Sequence, residues 1–364
     1  MLTKFINRAV SAALLAAIAL SGCNSYAGSK TYESPDETLP EIIVSSDESD
    51  IVVTNAEVSV SEIPYEFNPH VYSAMLDATY SDDYRESFFN LCDALREGRD
   101  TFECSSKEVY DWCTNEVTLA QLFPVACVLV TNASNDGSRN YENGTGRLYY
   151  TIPAEEFVQK EMDFEEEITG IINSYVKSSY SDFEKCLALF DYMVSNYKYD
   201  YEDDWFGSGM GASYFCFLNK KGICASLSYI YAYLLMQVGV DAITVSNFGG
   251  GNAHAWTFVT VNGKGYHIDP TWGLKDEYST DDSFGLDYFM MTDTDRENAG
   301  YLAAELEVPI LPYSYASECT EYSYVADDDT YRFPMFTACT GYDTTRNVIY
   351  YSISGDAPLE SQYE

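Results

Sequence analysis

An Asn-Gly pair at positions 262 and 263 constrains the fold of this chain more than any other short segment. Between two apolar-rich segments, this dipeptide is the strongest local signal for a two-residue β-hairpin turn. Counting outward from the turn places Phe258 opposite His267. Because side chains alternate between the faces of a strand, His254 shares a face with Asp269 and becomes its diagonal neighbour, roughly 7 to 8 Å away along the backbone. An imidazole and a carboxylate can span that gap, so the turn predicts a His-Asp pair.

Cys224 opens an apolar segment that contains no proline or glycine as far as Gln237. Large apolar residues recur in it at helical spacing, and Gly239 is a typical stop, so we predict a helix with the cysteine in its first turn. The unpaired amides and the positive end of the helix dipole favour a thiolate there, and the cysteine's own amide can help to hold an oxyanion. The alternative is a buried structural cysteine.

A cysteine, a histidine and an aspartate therefore occur in the order that a thiol acyl-transfer site needs. A thiol needs a base to ionise near neutral pH, and the base needs a carboxylate that fixes its ring and tautomer. We predict Cys224 as the nucleophile, His254 as the base and Asp269 as the residue that orients the base. His267 is the alternative base, but Asp269 lies two residues along the same strand and points parallel to it rather than toward it.

Three short motifs resemble those of the transglutaminase-like superfamily, whose members have a papain-related fold. They are Gly222-Ile223-Cys224, His254-Ala255-Trp256 and Asp269-Pro270-Thr271-Trp272, and the resemblance extends over about 183–292. It implies a cysteine-bearing helix packed against an antiparallel sheet that carries the histidine and the aspartate. It also implies a cysteine protease, an amidase or a transglutaminase.

The chain departs from the family pattern close to the nucleophile. The glycine often found soon after the cysteine is replaced by Ala225 and Ser226, and no glutamine precedes Cys224 at papain-like spacing. The side-chain donor to the oxyanion is therefore open, with Tyr214 as a candidate. Supporting roles in the site are predicted for two tryptophans, Trp256 and Trp272.

We predict an α+β fold, with the papain- or transglutaminase-like core between a mixed N-terminal domain and a small β-rich C-terminal extension. The predicted segments are a lipoprotein signal peptide at 1–22, an acidic flexible spacer at 23–61, a mixed α/β region at 62–153, the catalytic core at 154–312 and the extension at 313–364. Apolar periodicity predicts helices over 84–96, 154–176 and 181–197. Short apolar or alternating runs predict strands over 124–130, 146–152, 331–339 and 347–354.

The N-terminus has the pattern of an export signal. Lys4 and Arg8 precede an apolar run over 9–20 that is too short to span a membrane permanently. The run ends in Leu20-Ser21-Gly22-Cys23, which resembles the lipobox of bacterial lipoproteins. The resemblance implies that Cys23 is diacylated and anchors the protein at the extracytoplasmic face of the cell membrane. The alternative is an ordinary signal peptide with an incidental cysteine.

Charge limits the partners of the chain. It has 58 acidic and 20 basic residues, a formal net charge of -38, which repels nucleic acid and makes it a poor partner. We expect a peptide or protein substrate, such as a cell-wall peptide, and no cofactor or metal, since neither a C-x-x-C motif nor a phosphate loop occurs. Eight cysteines besides Cys23 and Cys224 allow 105 disulfide connectivities, and the sequence selects neither among them nor an oligomeric state.

Two functions remain open from the sequence. The first is an extracytoplasmic enzyme that acts on a peptide or carboxamide bond, by hydrolysis or by transfer to an amine. The second is a non-catalytic surface module on the same fold that binds a peptide or glycan, since a fold does not determine a function.

Overall fold

The structure, a computed structural model, describes residues 62–132, 140–202, 212–247, 253–275 and 282–363. The predicted signal peptide, the lipid site at Cys23 and the acidic spacer lie outside these ranges. In the part of the chain that is described, no helix combines the length and apolar character needed to cross a membrane.

Helices and strands are interspersed along the described residues. The helices are α1 (Ala74–Thr79), α2 (Asp82–Arg96), α3 (Lys107–Cys113), α4 (Glu116–Leu122), α5 (Ala126–Leu129), α6 (Ala154–Tyr175), α7 (Asp182–Asn196), α8 (Ser213–Asn219), α9 (Cys224–Gln237), α10 (Pro270–Gly273) and α11 (Asp293–Asn298). The strands are β1 (Thr101–Glu103), β2 (Val130–Thr131), β3 (Tyr141–Glu142), β4 (Thr145–Arg147), β5 (Tyr149–Tyr150), β6 (Lys198–Tyr199), β7 (Lys221–Gly222), β8 (Asp241–Asn247), β9 (His254–Val261), β10 (Lys264–Ile268), β11 (Phe284–Gly285), β12 (Thr337–Asp343), β13 (Val348–Ile353) and β14 (Leu359–Gln362).

Helix α9 packs against an antiparallel sheet of three strands in the order β10, β9, β8. All 14 residues of α9 are buried, because strands cover one side and helices, among them α4, α7 and α8, cover the others. The arrangement of helices and antiparallel sheets confirms the predicted α+β class.

The predicted hairpin is present with the predicted register. Val261 lies opposite Lys264, and Phe258 lies opposite His267. Asn262 and Gly263 both have positive φ, 52° and 73°. The dipeptide thus sets which side chains of β9 and β10 share a face.

Most of the predicted helices are confirmed, but one predicted strand is wrong. Helices α2, α6 and α7 match their predicted ranges to within two residues. Within the range 124–130, however, the chain forms α5, and only Val130, the last residue of that range, belongs to the short strand β2. Over 146–152 two short strands, β4 and β5, replace the single predicted one.

A second antiparallel sheet lies toward the C-terminus, in the order β11, β12, β13, β14. The two predicted C-terminal strands pair as β12 and β13, although β12 begins later than predicted. One cluster of buried apolar residues extends from Val71 to Ile349 and includes residues of every predicted folded segment. The boundaries between those segments stay predictions.

Candidate active site

Cys224 is the first residue of α9, as predicted, and Ile223 is its N-cap. The preceding strand β7 pairs in parallel with β6, so that Tyr199 lies opposite Gly222. A salt bridge of 2.7 Å between Lys221 and the buried Asp200 holds the same two segments together. The approach of the chain to Cys224 is therefore fixed on the side before the helix.

Ser226, which stands where the chain departs from the family pattern, has a local role in the helix start. Its hydroxyl accepts a hydrogen bond from the amide of Ile223 at 3.0 Å and can donate to the carbonyl of the same residue, also at 3.0 Å. An N-terminal amide that would otherwise be unpaired is thus satisfied. The departure from the family pattern thus stabilises the start of the helix at Cys224.

Gly222 has no room for a side chain. A Cβ there would lie 2.5 Å from Oγ of Ser226 and 2.6 Å from Sγ of Cys216. We expect Gly222→Ala to lower the free energy of unfolding by about 1–3 kcal/mol through overpacking, measured by urea denaturation. Gly170→Ala is the control: it lies in α6 with no atom within 4 Å of its Cβ. That substitution should stabilise the protein by about 0.5–1 kcal/mol. Equal effects of the two substitutions would contradict the crowding at residue 222.

His254 and Asp269 form the predicted pair. Nε2 of His254 and Oδ2 of Asp269 are 2.7 Å apart, and both side chains are almost fully buried. The other carboxylate oxygen, Oδ1, accepts hydrogen bonds from the amides of Thr271 and Trp272 at 3.1 and 3.2 Å, because Asp269 is also the N-cap of α10. Hydrogen bonds at both of its oxygens therefore fix the orientation of the Asp269 carboxylate.

The thiol of Cys224 is a near neighbour of the His254 imidazole and interacts with it electrostatically. Since Nε2 is bonded to Asp269, Nδ1 is the nitrogen that remains for the thiol. Burial opposes the charged imidazolium, but the Asp269 carboxylate and Cys224 outweigh it and raise the pKa of His254 to about 9. The structure thus brings the three predicted residues together in one chain of contacts.

Arg296 of α11 is a further member of the site that the sequence did not reveal. Its Nη1 donates a hydrogen bond of 3.1 Å to Oδ2 of Asp269, the same oxygen that contacts His254. Burial disfavours the charged carboxylate, yet His254 and Arg296 hold the pKa of Asp269 below its ordinary value. No motif surrounds Arg296; the only local signal is the capping pair Thr292 and Asp295 that starts its helix.

His267, the alternative base, is engaged elsewhere. Its Nδ1 accepts a hydrogen bond of 2.9 Å from the indole of Trp256, and its Nε2 lies 2.9 Å from Asp293. Burial lowers the pKa of His267, so the ring is neutral near pH 7 and donates from Nε2. Both nitrogens are thereby used in packing the face of the sheet behind His254.

Aromatic rings enclose His254. The Trp272 ring stacks on it, with centroids 4.7 Å apart and planes 14° apart, and Trp256 follows at 5.9 Å. The third supporting candidate, Tyr214, lies in α8 with its ring against Phe164, and burial raises its pKa to about 12. Its role as an oxyanion donor stays a prediction.

The N-terminal region forms one wall around the thiol. Ala120 of α4 belongs to a small buried cluster with Cys224, Tyr229 and Ala255, and Cys127 of α5 packs against that cluster. Only 3% of Cys224 is exposed. The helices α4 and α5 precede the motifs by about a hundred residues, so no local pattern could connect them with the nucleophile.

The nine cysteines in the described residues are all free thiols, and eight of them are buried. Groups of three or more histidine, cysteine or carboxylate side chains that could hold a metal do not occur within the described ranges.

Comparison with known proteins identifies the class of this domain. Residues 170–270 match the model of the transglutaminase-like superfamily, which includes the positions of all three predicted catalytic residues. This part of the chain is a transglutaminase-like domain, as the motifs predicted. No curated protein matches the chain.

Two solved structures resemble parts of the chain. One is a candidate cysteine protease from Cytophaga hutchinsonii, with 12% identity, a TM-score of 0.25 and coverage of 30% of this chain and 37% of that one. The other is described as a TGase, with 18% identity, a TM-score of 0.28 and coverage of 43% of this chain and 49% of that one. The chain thus spans less than half of either protein.

Proposed function

We propose that the protein is a thiol acyl-transfer enzyme that acts on a peptide or carboxamide bond. The observation that carries the proposal is the series of neighbouring groups from Cys224 at a helix start to the His254 imidazole, which is hydrogen-bonded to Asp269. A cysteine, its base and an orienting carboxylate form one chemical unit, and that unit is found in cysteine proteases and transglutaminases alike.

The proposed reaction has two stages. The Cys224 thiolate attacks the carbonyl carbon, and the C–N bond breaks as the His254 imidazolium gives its proton to the leaving amine or ammonia. A thioester remains. His254, now neutral, takes a proton from the water or amine that attacks the thioester. The sulfur then leaves the acyl group as a thiolate, which restores the ion pair with the His254 imidazolium. Positioned proton transfer of this kind contributes about 10²–10⁴-fold to a rate.

The amide of Cys224 supports the oxyanion in this proposal. It is the first amide of α9, where it has no partner within the helix and where the helix dipole is positive. Such donors act on charge that develops only in the transition state.

We also propose that the enzyme works outside the cytoplasm, anchored through a lipid on Cys23. The lipobox-like sequence Leu20-Ser21-Gly22-Cys23 after a short apolar run supports this location. The acidic spacer that follows would separate the folded part from the membrane surface. A peptide of the cell surface is then an accessible substrate.

Incubation with a glutamine-containing peptide, with and without a labelled primary amine, tests the activity. We expect release of ammonia in both cases, since water or the amine can accept the acyl group; label found in the peptide identifies transfer, and its absence identifies hydrolysis. Cys224→Ala is the control and should abolish the reaction. Ammonia release that persists in Cys224→Ala would contradict the proposal.

A further inference from the structure

Arg296 is buried at an unusual position for an arginine. Only 2% of it is exposed, and its guanidinium lies 3.8 Å from the ring centroid of Trp256 and 4.9 Å from that of Tyr301. Its Nη1 donates to Asp269. Among the described residues, its Nε and Nη2 have no hydrogen-bond partner. The positive charge is therefore balanced by one carboxylate and by the faces of aromatic rings.

Stability alone does not account for such a pair. Removing two charges from water costs several kcal/mol for each ion, and buried ion pairs are often no more stabilising than apolar side chains of similar volume. Asp269 has no exposed surface and already receives two amide hydrogen bonds from α10. The guanidinium adds a charge at the one carboxylate oxygen that contacts His254.

We propose that Arg296 is a positioning residue, whose fixed charge keeps Asp269 ionised in the stage of the reaction at which His254 is neutral. This inference rests on the proposed function. In the ion-pair state that the proposed reaction starts from, the buried groups are a thiolate, an imidazolium, a carboxylate and a guanidinium, and their charges sum to zero. In the thioester stage, the imidazole and the sulfur are uncharged, and the carboxylate and guanidinium still sum to zero. Without Arg296, both stages would bury one uncompensated negative charge.

An ionised Asp269 fixes the tautomer of the neutral ring. A carboxylate can only accept at Oδ2, so the proton of neutral His254 stays on Nε2 and its Nδ1 stays free to act on the incoming nucleophile. A protonated Asp269 could instead donate to Nε2 and would leave Nδ1 protonated. In that case the base would have no lone pair on the side of Cys224.

Other charged groups near the pair do not replace Arg296. Cys224 acts on the Asp269–Arg296 pair by way of His254. The other groups that face the pair from neighbouring elements are Tyr288 in the segment after β11, Tyr301 after α11, His267 on β10, and Asp293 and Asp295 of α11. Burial raises the pKa of Tyr288, so it is neutral near pH 7, and Asp295 is balanced by Arg332 at 2.9 Å. None of these groups supplies a second positive charge to Asp269.

The rate of Cys224 alkylation by iodoacetamide, followed by peptide mass spectrometry between pH 4 and pH 11, tests the role of the charge. Removing a positive charge makes every neighbouring group hold its proton more tightly. Arg296→Met should therefore shift both the acidic and the alkaline limb of the profile to higher pH, by about one unit. Arg296→Lys keeps the charge and should keep both limbs. Arg147→Met is the matched control, because it removes an exposed positive charge that pairs with Asp100.

A purely structural role would lower the stability of Arg296→Met and leave the limbs in place, which would overturn the inference. The same conclusion would follow if Arg296→Lys shifted them as far as Arg296→Met. If His254→Ala has the same profile as the unchanged protein, it is the proposed function that fails.

A second measurement needs no variant that might fail to fold. With Cys224 capped by iodoacetamide, the ¹⁵N shifts of His254 should show the tautomer with its proton on Nε2. A proton on Nδ1 would overturn the inference.

Discussion

In His254→Ala, the rate of ammonia release from a glutamine-containing peptide should fall by about 10³-fold or more. The substitution removes the imidazole that interacts with the thiol and hydrogen-bonds to Asp269. The nucleophile then lacks its base, and the leaving group lacks its acid. Alkylation of Cys224 at pH 7 should fall roughly 30-fold, since an ordinary thiol is only a few per cent ionised there.

His267→Ala is the matched control for this substitution. It also removes a buried imidazole from the same hairpin, together with the hydrogen bonds to Trp256 and Asp293. We expect a loss of stability of about 1–3 kcal/mol and a thiol that still reacts fast. Slow alkylation in His267→Ala combined with fast alkylation in His254→Ala would reverse the assignment of the base.

The pH dependence of the free energy of unfolding should also change in His254→Ala. The pKa of His254 is about 9 in the folded protein against 6.5 for an ordinary histidine, so its charge stabilises the fold fully below about pH 6.5. That contribution is lost as the pH rises from there to about 9. Urea denaturation of the unchanged protein should therefore show a decline over this range that is weaker in His254→Ala.

Asp269→Asn should abolish activity and also destabilise the fold. The amide can still cap α10, but its nitrogen cannot accept the hydrogen bond from Arg296, which is left buried and unpaired. Breaking a buried ion pair in this way costs about 3–5 kcal/mol. The amide nitrogen also donates to Nε2 of His254, so the ring takes the wrong tautomer, and we expect turnover to fall about 10³–10⁴-fold.

A double variant separates the two effects of Asp269→Asn. Adding Arg296→Met removes the unpaired charge, so most of the lost stability should return, while turnover should stay low. Urea midpoints and ammonia release measure the two quantities independently. An Asp269→Asn protein of unchanged stability would mean that the ion pair with Arg296 contributes nothing to the fold.

The sequence predicted the hairpin and its consequences because they are local. Asn262 and Gly263 adopt the positive φ values that a two-residue turn requires, and the period of two along a strand then determines which side chains face His254. The helix of Cys224 was equally visible, since its length and stop are local signals. The contact between His254 and Asp269 thus followed from one turn.

The sequence could not reveal what depends on distant packing. The apolar sequence at 124–130 is equally compatible with a strand and with a short helix, and tertiary contacts favour the helix α5. Arg296 carries no apolar or motif signal, because an arginine in a short polar helix is normally exposed. Its burial follows from the nearby ring of Tyr301 and from the rings of Trp256 and Trp272, which are distant in sequence and brought to it by the fold.

The packing of α4 and α5 beside Cys224 limits how far the protein can be truncated. A fragment trimmed to the borders of the superfamily match would keep Cys224, His254 and Asp269, yet it would lack Ala120 and Arg296. One flank of the sulfur would be open to bulk solvent, and Asp269 would lose its cation. A fragment that keeps the packing around Cys224 and Asp269 therefore has to extend beyond 170–270 in both directions.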